Sequence, residues 1–358
     1  MHSSAFKVPS RGPYAGTDVH HWPVTTMTDL QQPIDSGFNA ASTARDVIAG
    51  IDLHGKTAIV TGGYAGLGLE TTRTLSSAGA TVIVPTRDVG KAKEALRGIG
   101  GVEIETMDLI DPASIEAFAA RFMASGRPLN ILVNSAGIMA LPELTLDSRG
   151  YEYHFATNHL GHFQLTTRLL QPLRAAGGAR VVSVSAWAHR LSDVVYGDVN
   201  FTRRTYQPML GYAQSKTANI LFAVGLDARE RQRGVRAFSL HPGSILTGLG
   251  RNFTDEQRKA FGVIDANGQR ILDPSRQLKT VEQGAATQVW CATSPRLANI
   301  GGVYCENVEV ARVVPPEERG DWKRDDSTRK VGVMPHAIDT ANAERLWALS
   351  ETMLRSAE

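Results

Sequence analysis

From Lys56 onward the chain alternates between short apolar runs and longer segments with helical spacing. TAIVTGG, TVIVPTR, VEIETMDL, LNILVNSAG, ARVVSVS, VRAFSLHPG and GGVYCEN read as strands, because each is a Val/Ile/Leu-type run bounded by turn residues. Between them, LGLETTRTLSSAGA, VGKAKEALRGIG and DPASIEAFAARFMASG read as helices, the third opened by Asp111-Pro112. Gly79 and Gly126 stop two of them. RGYEYHFATNHLGHFQLTTRLLQPLRAAGG predicts one long helix, and YAQSKTANILFAVGLDARERQ and KTVEQGAATQVWCATSP two more. Strands this apolar are covered on both faces. The pattern therefore predicts an α/β fold: a doubly wound, Rossmann-type parallel sheet of about seven strands in a single domain over residues 55–358. Residues 191–211 and 244–280 are irregular insertions after the fifth and sixth strands. Ligands of such sheets bind beyond the carboxyl ends of the strands, so these insertions should wall the pocket.

Residues 1–28 lack periodicity and are rich in Pro, Gly, Ser, Thr and His, which predicts a disordered arm. Residues 29–54 form a lead-in with a short helix, capped by Ser42 or Thr43. His20-His21 has nothing nearby to complete a metal site, so no metal is expected. A net charge of +2 gives no reason to expect nucleic acid or an anionic membrane. No apolar run approaches the ~18–20 residues of a membrane span. The two cysteines make no disulfide framework and fit a cytoplasmic protein with buried thiols.

The glycine-rich stretch TGGYAGLG, Thr61 to Gly68, follows the first strand directly and opens a helix. Gly62, Gly66 and Gly68 allow a tight turn and close approach of a pyrophosphate to the helix N-terminus. Its TGxxxGxG spacing resembles the short-chain dehydrogenase/reductase family, and later motifs fall in that family's order. Asn134-Ser135-Ala136-Gly137 resembles its NNAG element, Asn158 its helix-four Asn, Tyr212-xxx-Lys216 its YxxxK, and Pro242-Gly243 its PG element. NHLGHF, SKTANILF and GGVYCE are most similar to its retinol dehydrogenase and WW-domain oxidoreductase branch.

The resemblance implies a nicotinamide cofactor held by Gly62, Tyr64, Gly66, Leu67 and Gly68. Asp108 and Leu109 would flank the adenine, and Asn134, Ala136 and Gly137 the nicotinamide ribose. Pro242, Gly243, Ile245 and Thr247 would hold the carboxamide side. Thr86 stands where NAD-using members carry an acid, and Arg87 follows. A guanidinium suits a 2′-phosphate, so NADP(H) is favoured over NAD(H), with Asp88 able to offset part of that charge.

Tyr212 and Lys216 share a helical face. An ammonium beside the phenol should lower its pKa and let Tyr212 exchange a proton with a substrate oxygen. The resemblance adds that Lys216 binds the nicotinamide ribose and that Asn158 supports the proton relay. It also implies a catalytic serine at the end of VVSVSA, but that position is Ala186. Ser185, one residue earlier, would face the other way in a regular strand and reach the site only through a bulge or early turn. Three readings follow. The first is a carbonyl reductase or alcohol dehydrogenase for a medium or bulky lipophilic substrate. The second is a related reaction such as reduction of a conjugated double bond. The third is a cofactor-binding sensor or partner protein. Met139, Leu141, Trp187, His189, Tyr206, Met209 and Leu246 are candidate pocket residues, with His189 more simply a structural imidazole. The family suggests a homodimer or homotetramer, although the tail beyond residue 310 could cover the association surface.

Overall fold

The computed structural model describes residues 30–315, 317 and 331–355. The arm expected over residues 1–28 lies outside them. Eight strands make one sheet: β1 (Thr57–Val60), β2 (Thr81–Thr86), β3 (Val102–Thr106), β4 (Ile131–Asn134), β5 (Ala179–Val184), β6 (Val235–His241), β7 (Val303–Glu306) and β8 (Glu309–Val310). Their order is β3-β2-β1-β4-β5-β6-β7-β8. All neighbours are parallel except the β7–β8 pair. The chain reverses its direction of winding between β1 and β4, which opens a crevice at their carboxyl ends.

Alternation within strands sorts side chains into two cores. Ile59, Ile83, Leu132 and Val181 face one helical layer; Ala58, Val60, Val82 and Val182 face the other. The first layer contains α4 (Pro112–Ala124), α5 (Gly161–Arg168), α6 (Leu170–Ala175) and α7 (Pro208–Glu230). The second contains α1 (Ala44–Ile48), α2 (Gly66–Ser77) and α9 (Val281–Thr293), while the short α3 (Val89–Ala95) follows β2 and α8 (Asp255–Ala260) lies in the second insertion. Of the two candidate caps for the lead-in helix, Thr43 takes the role, in a reciprocal box with Asp46.

Three features depart from the sequence pattern. The long fourth helix is broken into a π-helical turn (Phe155–Leu160), α5 and α6. Pro172 accounts for the second break: it has no N–H to give Arg168, and its ring crowds that carbonyl, so the chain leaves helical geometry at Leu169. An eighth, antiparallel strand follows β7 through Asn307 and Val308, both at positive φ (54° and 63°). The tail beyond residue 310 carries a helix that the pattern reading did not assign, α10 (Thr340–Arg355), which packs on α7. Its Trp347 meets Phe163 edge-on at 4.8 Å and stacks on Phe222 at 6.1 Å.

Candidate active site

A cleft of about 510 Å³ runs along the carboxyl ends of β1, β4, β5 and β6. Its wall is made by the glycine turn together with Tyr212, Ala186, Met139 and the second insertion. Gly62 has a φ of 67°, and a Cβ on it would lie 3.1 Å from Ala136 Cα. A Cβ on Gly68 would lie 2.3 Å from Gly62 O. Both side chains are excluded, so the turn stays tight and its backbone stays open. Ala65 precedes α2 without a capping side chain, leaving the first-turn N–H groups available to an anion. These features suit the pyrophosphate of a dinucleotide.

Behind the turn, Thr61 Oγ1 accepts from the N–H groups of Ser135 (2.9 Å) and Ala136 (3.0 Å). Its proton goes to His162 Nε2 at 2.9 Å, because His162 Nδ1–H already donates to Asn158 O at 2.9 Å. Burial lowers the His162 pKa to about 4, which keeps the ring neutral for that arrangement. One imidazole thus ties the glycine turn, the end of β4 and the π-helical turn together.

Asn158 brackets the backbone of Ile138. Its Oδ1 accepts from Ile138 N at 2.9 Å, and its Nδ2 donates to Ile138 O (3.1 Å) and Ser215 Oγ (2.9 Å). Lys216 is buried, with Nζ donating to Val184 O at 2.9 Å and lying 5.5 Å from the centre of the Tyr212 ring. Tyr212 packs among Ala186, Ala188, Met139, Leu191 and Met209. The expected lowering of the tyrosine pKa is reversed. Burial raises Tyr212 above the ordinary phenol range and pushes Lys216 down to about 7. Both charged forms lose their hydration, and the lysine is anchored to a neutral carbonyl rather than to the phenol oxygen.

Ser185 and Ala186 lie just beyond β5. No early turn brings the Ser185 hydroxyl to Tyr212; it donates to Lys216 O at 2.7 Å. Ala186 packs on the small apolar cluster that contains Tyr212, Ala188 and Ala213.

Gly62, Tyr64, Gly66, Leu67, Gly68, Ala136, Gly137, Pro242, Gly243, Ile245 and Thr247 all line the cleft, as do Ser185, Tyr212 and Lys216. Arg87, Asp108, Leu109, Asn134 and Asn158 lie off its wall. Arg87 is exposed, and Asp88 serves as the N-cap of α3 by accepting from Lys91 N, 2.9 Å away. Asp108 accepts from Ile110 N, Leu109 packs on Gly161, and Asn134 donates to Thr166 Oγ1. Sequence reasoning missed Lys91, which lines the cleft as Tyr64 does. The signal was its place in the first helical turn after β2. Among the candidate pocket residues, Met139, Trp187, Met209 and Leu246 line the cleft; Leu141, His189 and Tyr206 do not. His189 is structural, donating from Nδ1 to Ala186 O and accepting at Nε2 from Met334 N. The insertion after β6 adds Leu249, Phe253, Phe261 and Val263 to the wall, together with Arg251 and Arg258.

Among the described residues no helix is long and apolar enough to cross a membrane, and no cluster of His, Cys, Asp and Glu could hold a metal ion.

The family model for short chain dehydrogenases matches residues 56–258. A Streptomyces antibioticus protein named "Probable oxidoreductase" is 44% identical over 313 residues, covering 86% of this chain and 100% of its own. Retinol dehydrogenase 12 of Mus musculus is 34% identical over 310 residues, covering 85% of this chain and 88% of its own. A crystal structure of an uncharacterised protein from Mycobacterium Paratuberculosis is similar at a TM-score of 0.64 and 31% identity, over 88% of this chain and 98% of that one. With a nucleotide-type glycine turn and the Tyr-Lys pair on one cleft of a doubly wound sheet, the chain belongs to the short-chain dehydrogenase/reductase family and is an NAD(P)-dependent oxidoreductase.

Proposed function

We propose that the protein is an NADP(H)-dependent carbonyl reductase or alcohol dehydrogenase for medium or bulky lipophilic substrates, with Tyr212 exchanging the proton. The observation that carries this reading is the shared cleft. It is lined by the glycine turn and by Tyr212, whose ring lies 5.5 Å from the buried Lys216 ammonium within an apolar cluster. When bound, the nicotinamide cofactor supplies or takes up the hydride. Tyr212 enters carbonyl reduction as an intact phenol, since burial holds its proton on, and passes that proton to the oxygen as negative charge develops there. Lys216 can return a proton to the phenolate, because its own pKa of about 7 sits close to neutrality. Asn158 acts from behind, holding the Ile138 backbone and Ser215 in place beside this pair. Lys91 and the exposed Arg87 favour a 2′-phosphate, and buried Thr86 offers no carboxylate to repel one.

The test follows NADPH and NADH oxidation with lipophilic aldehydes, ketones and enones for wild type and Tyr212→Phe. Carbonyl turnover that collapses in Tyr212→Phe is the expected result. Turnover of enones alone, or tight NADPH binding without any turnover, would replace this reading with a double-bond reductase or a cofactor-binding protein.

A further inference from the structure

Tyr212 alone does not complete a carbonyl-polarising site. The oxygen of a reducing carbonyl gains charge, and a second donor aimed at it is typically worth on the order of 10²–10³ in rate. Ala186 lines the same cleft as Tyr212, packs on the cluster that holds it, and has no side-chain donor to give. Ser185 lines the cleft, but its hydroxyl is committed to Lys216 O.

The neighbouring strand end carries another donor. His241 is the last residue of β6 and lines the same cleft. Its Nδ1 accepts from the backbone N–H of Trp187, the residue after Ala186, at 3.1 Å. That bond places the ring beside the alanine and settles the tautomer: a neutral imidazole accepting at Nδ1 carries its proton on Nε2. Burial, reinforced by nearby Lys279, lowers the His241 pKa to about 3, so the ring does not take a second proton near neutrality. Among the described residues nothing accepts from Nε2, and that nitrogen is not sealed within the protein. Its N–H is therefore left without an acceptor, on a residue that lines the cleft.

We propose that His241, through Nε2–H, gives the substrate's reacting oxygen the second hydrogen bond that a hydroxyl at position 186 would otherwise supply. The inference rests on the carbonyl-reductase reading above. His241 keeps its proton throughout; the proton transferred is that of Tyr212. A neutral imidazole suits this role because it stabilises developing charge without competing as an acid.

Two variants separate the ring's two nitrogens. His241→Asn keeps an acceptor within reach of Trp187 N–H but places no donor at the Nε2 position. His241→Gln places an amide donor there. His241→Asn should lower kcat for ketone reduction by about 10²–10³-fold with unchanged Tm and NADPH affinity, whereas His241→Gln should stay within about tenfold of wild type. Adding Ala186→Ser to His241→Asn should restore at least about tenfold. Wild-type kcat in His241→Asn, or a loss that Ala186→Ser does not rescue, overturns the inference. A second measurement is independent of turnover. With NADP⁺, which cannot reduce a ketone, benzylacetone binding should shift the His241 Nε2–H resonance. An unmoved resonance with benzylacetone bound overturns the inference even if wild type is active. A shifted resonance in a wild type that turns over no carbonyl overturns the reductase reading instead. Failure of benzylacetone to bind overturns both.

Discussion

The Ser185 hydroxyl donates to the backbone carbonyl of Lys216 at 2.7 Å, while the ammonium of the same lysine reaches back to Val184 O at 2.9 Å. Two adjacent residues at the end of β5 thus grip both ends of one lysine, and Ser185 acts as a strut. Ser185→Ala should therefore cost about 0.5–1.5 kcal/mol of stability and leave kcat within a few-fold. Denaturant titration and steady-state kinetics test this. A hundredfold loss of kcat with unchanged stability would make Ser185 a catalytic donor after all.

Burial of Lys216 is itself destabilising at neutral pH. Its pKa falls from 10.5 to about 7 on folding, so below about pH 7 the folded protein holds an ammonium in a desolvated site. That cost is relieved as pH rises from about 7 towards 10.5, where the folded protein has shed a proton that the unfolded chain keeps. Val184 O also accepts from Asn219 Nδ2, at 3.0 Å, so it keeps a partner without the lysine. Lys216→Met should be inactive yet more stable than wild type, on the order of 2–4 kcal/mol at about pH 6. The gain should shrink at higher pH. Equal or lower stability across that range would contradict the argument.

Buried histidines set the acid limit. Burial holds His159 at about 3, His162 at about 4 and His241 at about 3, against an ordinary 6.5. For groups lowered on folding, the unfolded chain binds the extra proton first as pH falls. Their contribution is therefore intact above 6.5 and is lost as pH falls towards the folded values, on the order of 2 kcal/mol per histidine by about pH 5. Unfolding free energies measured at about pH 7.5 and 5 should differ by several kcal/mol. A pH-independent midpoint would count against neutral rings in the core.

Cofactor choice should depend on Lys91 more than on Arg87, because Lys91 lines the cleft and Arg87 does not. Lys91→Glu should weaken NADPH binding by at least about tenfold while changing NADH affinity little, and Arg87→Ala should have the smaller effect. Calorimetric titration with both nucleotides reads this directly. Equal losses for NADPH and NADH would mean that Lys91 contacts something other than the 2′-phosphate.

Much was determined by sequence alone. Apolar runs alternating with helical periodicity are local patterns, and they predicted the parallel sheet and its covering helices. The glycine turn was legible because only residues without Cβ fit 2.3 Å from Gly62 O, as at Gly68, so the steric demand is written into residue type. Strand parity put the Ser185 and Ala186 side chains on opposite sides; in the structure the Ser185 hydroxyl donates to Lys216 O, although the residue still lines the cleft. What tertiary structure decided depends on neighbours distant in the chain. The Tyr212 and Lys216 pKa values moved opposite to the pairwise expectation because burial, set by the whole fold, outweighs one charge at 5.5 Å from the ring. The spacing of Ala343, Leu346, Trp347, Ser350 and Met353 was present in the chain, but its use lies in Phe163 and Phe222, supplied by other helices. His241 became a candidate donor only when β6 came to lie beside β5, where the backbone of Trp187 could settle which nitrogen keeps the proton.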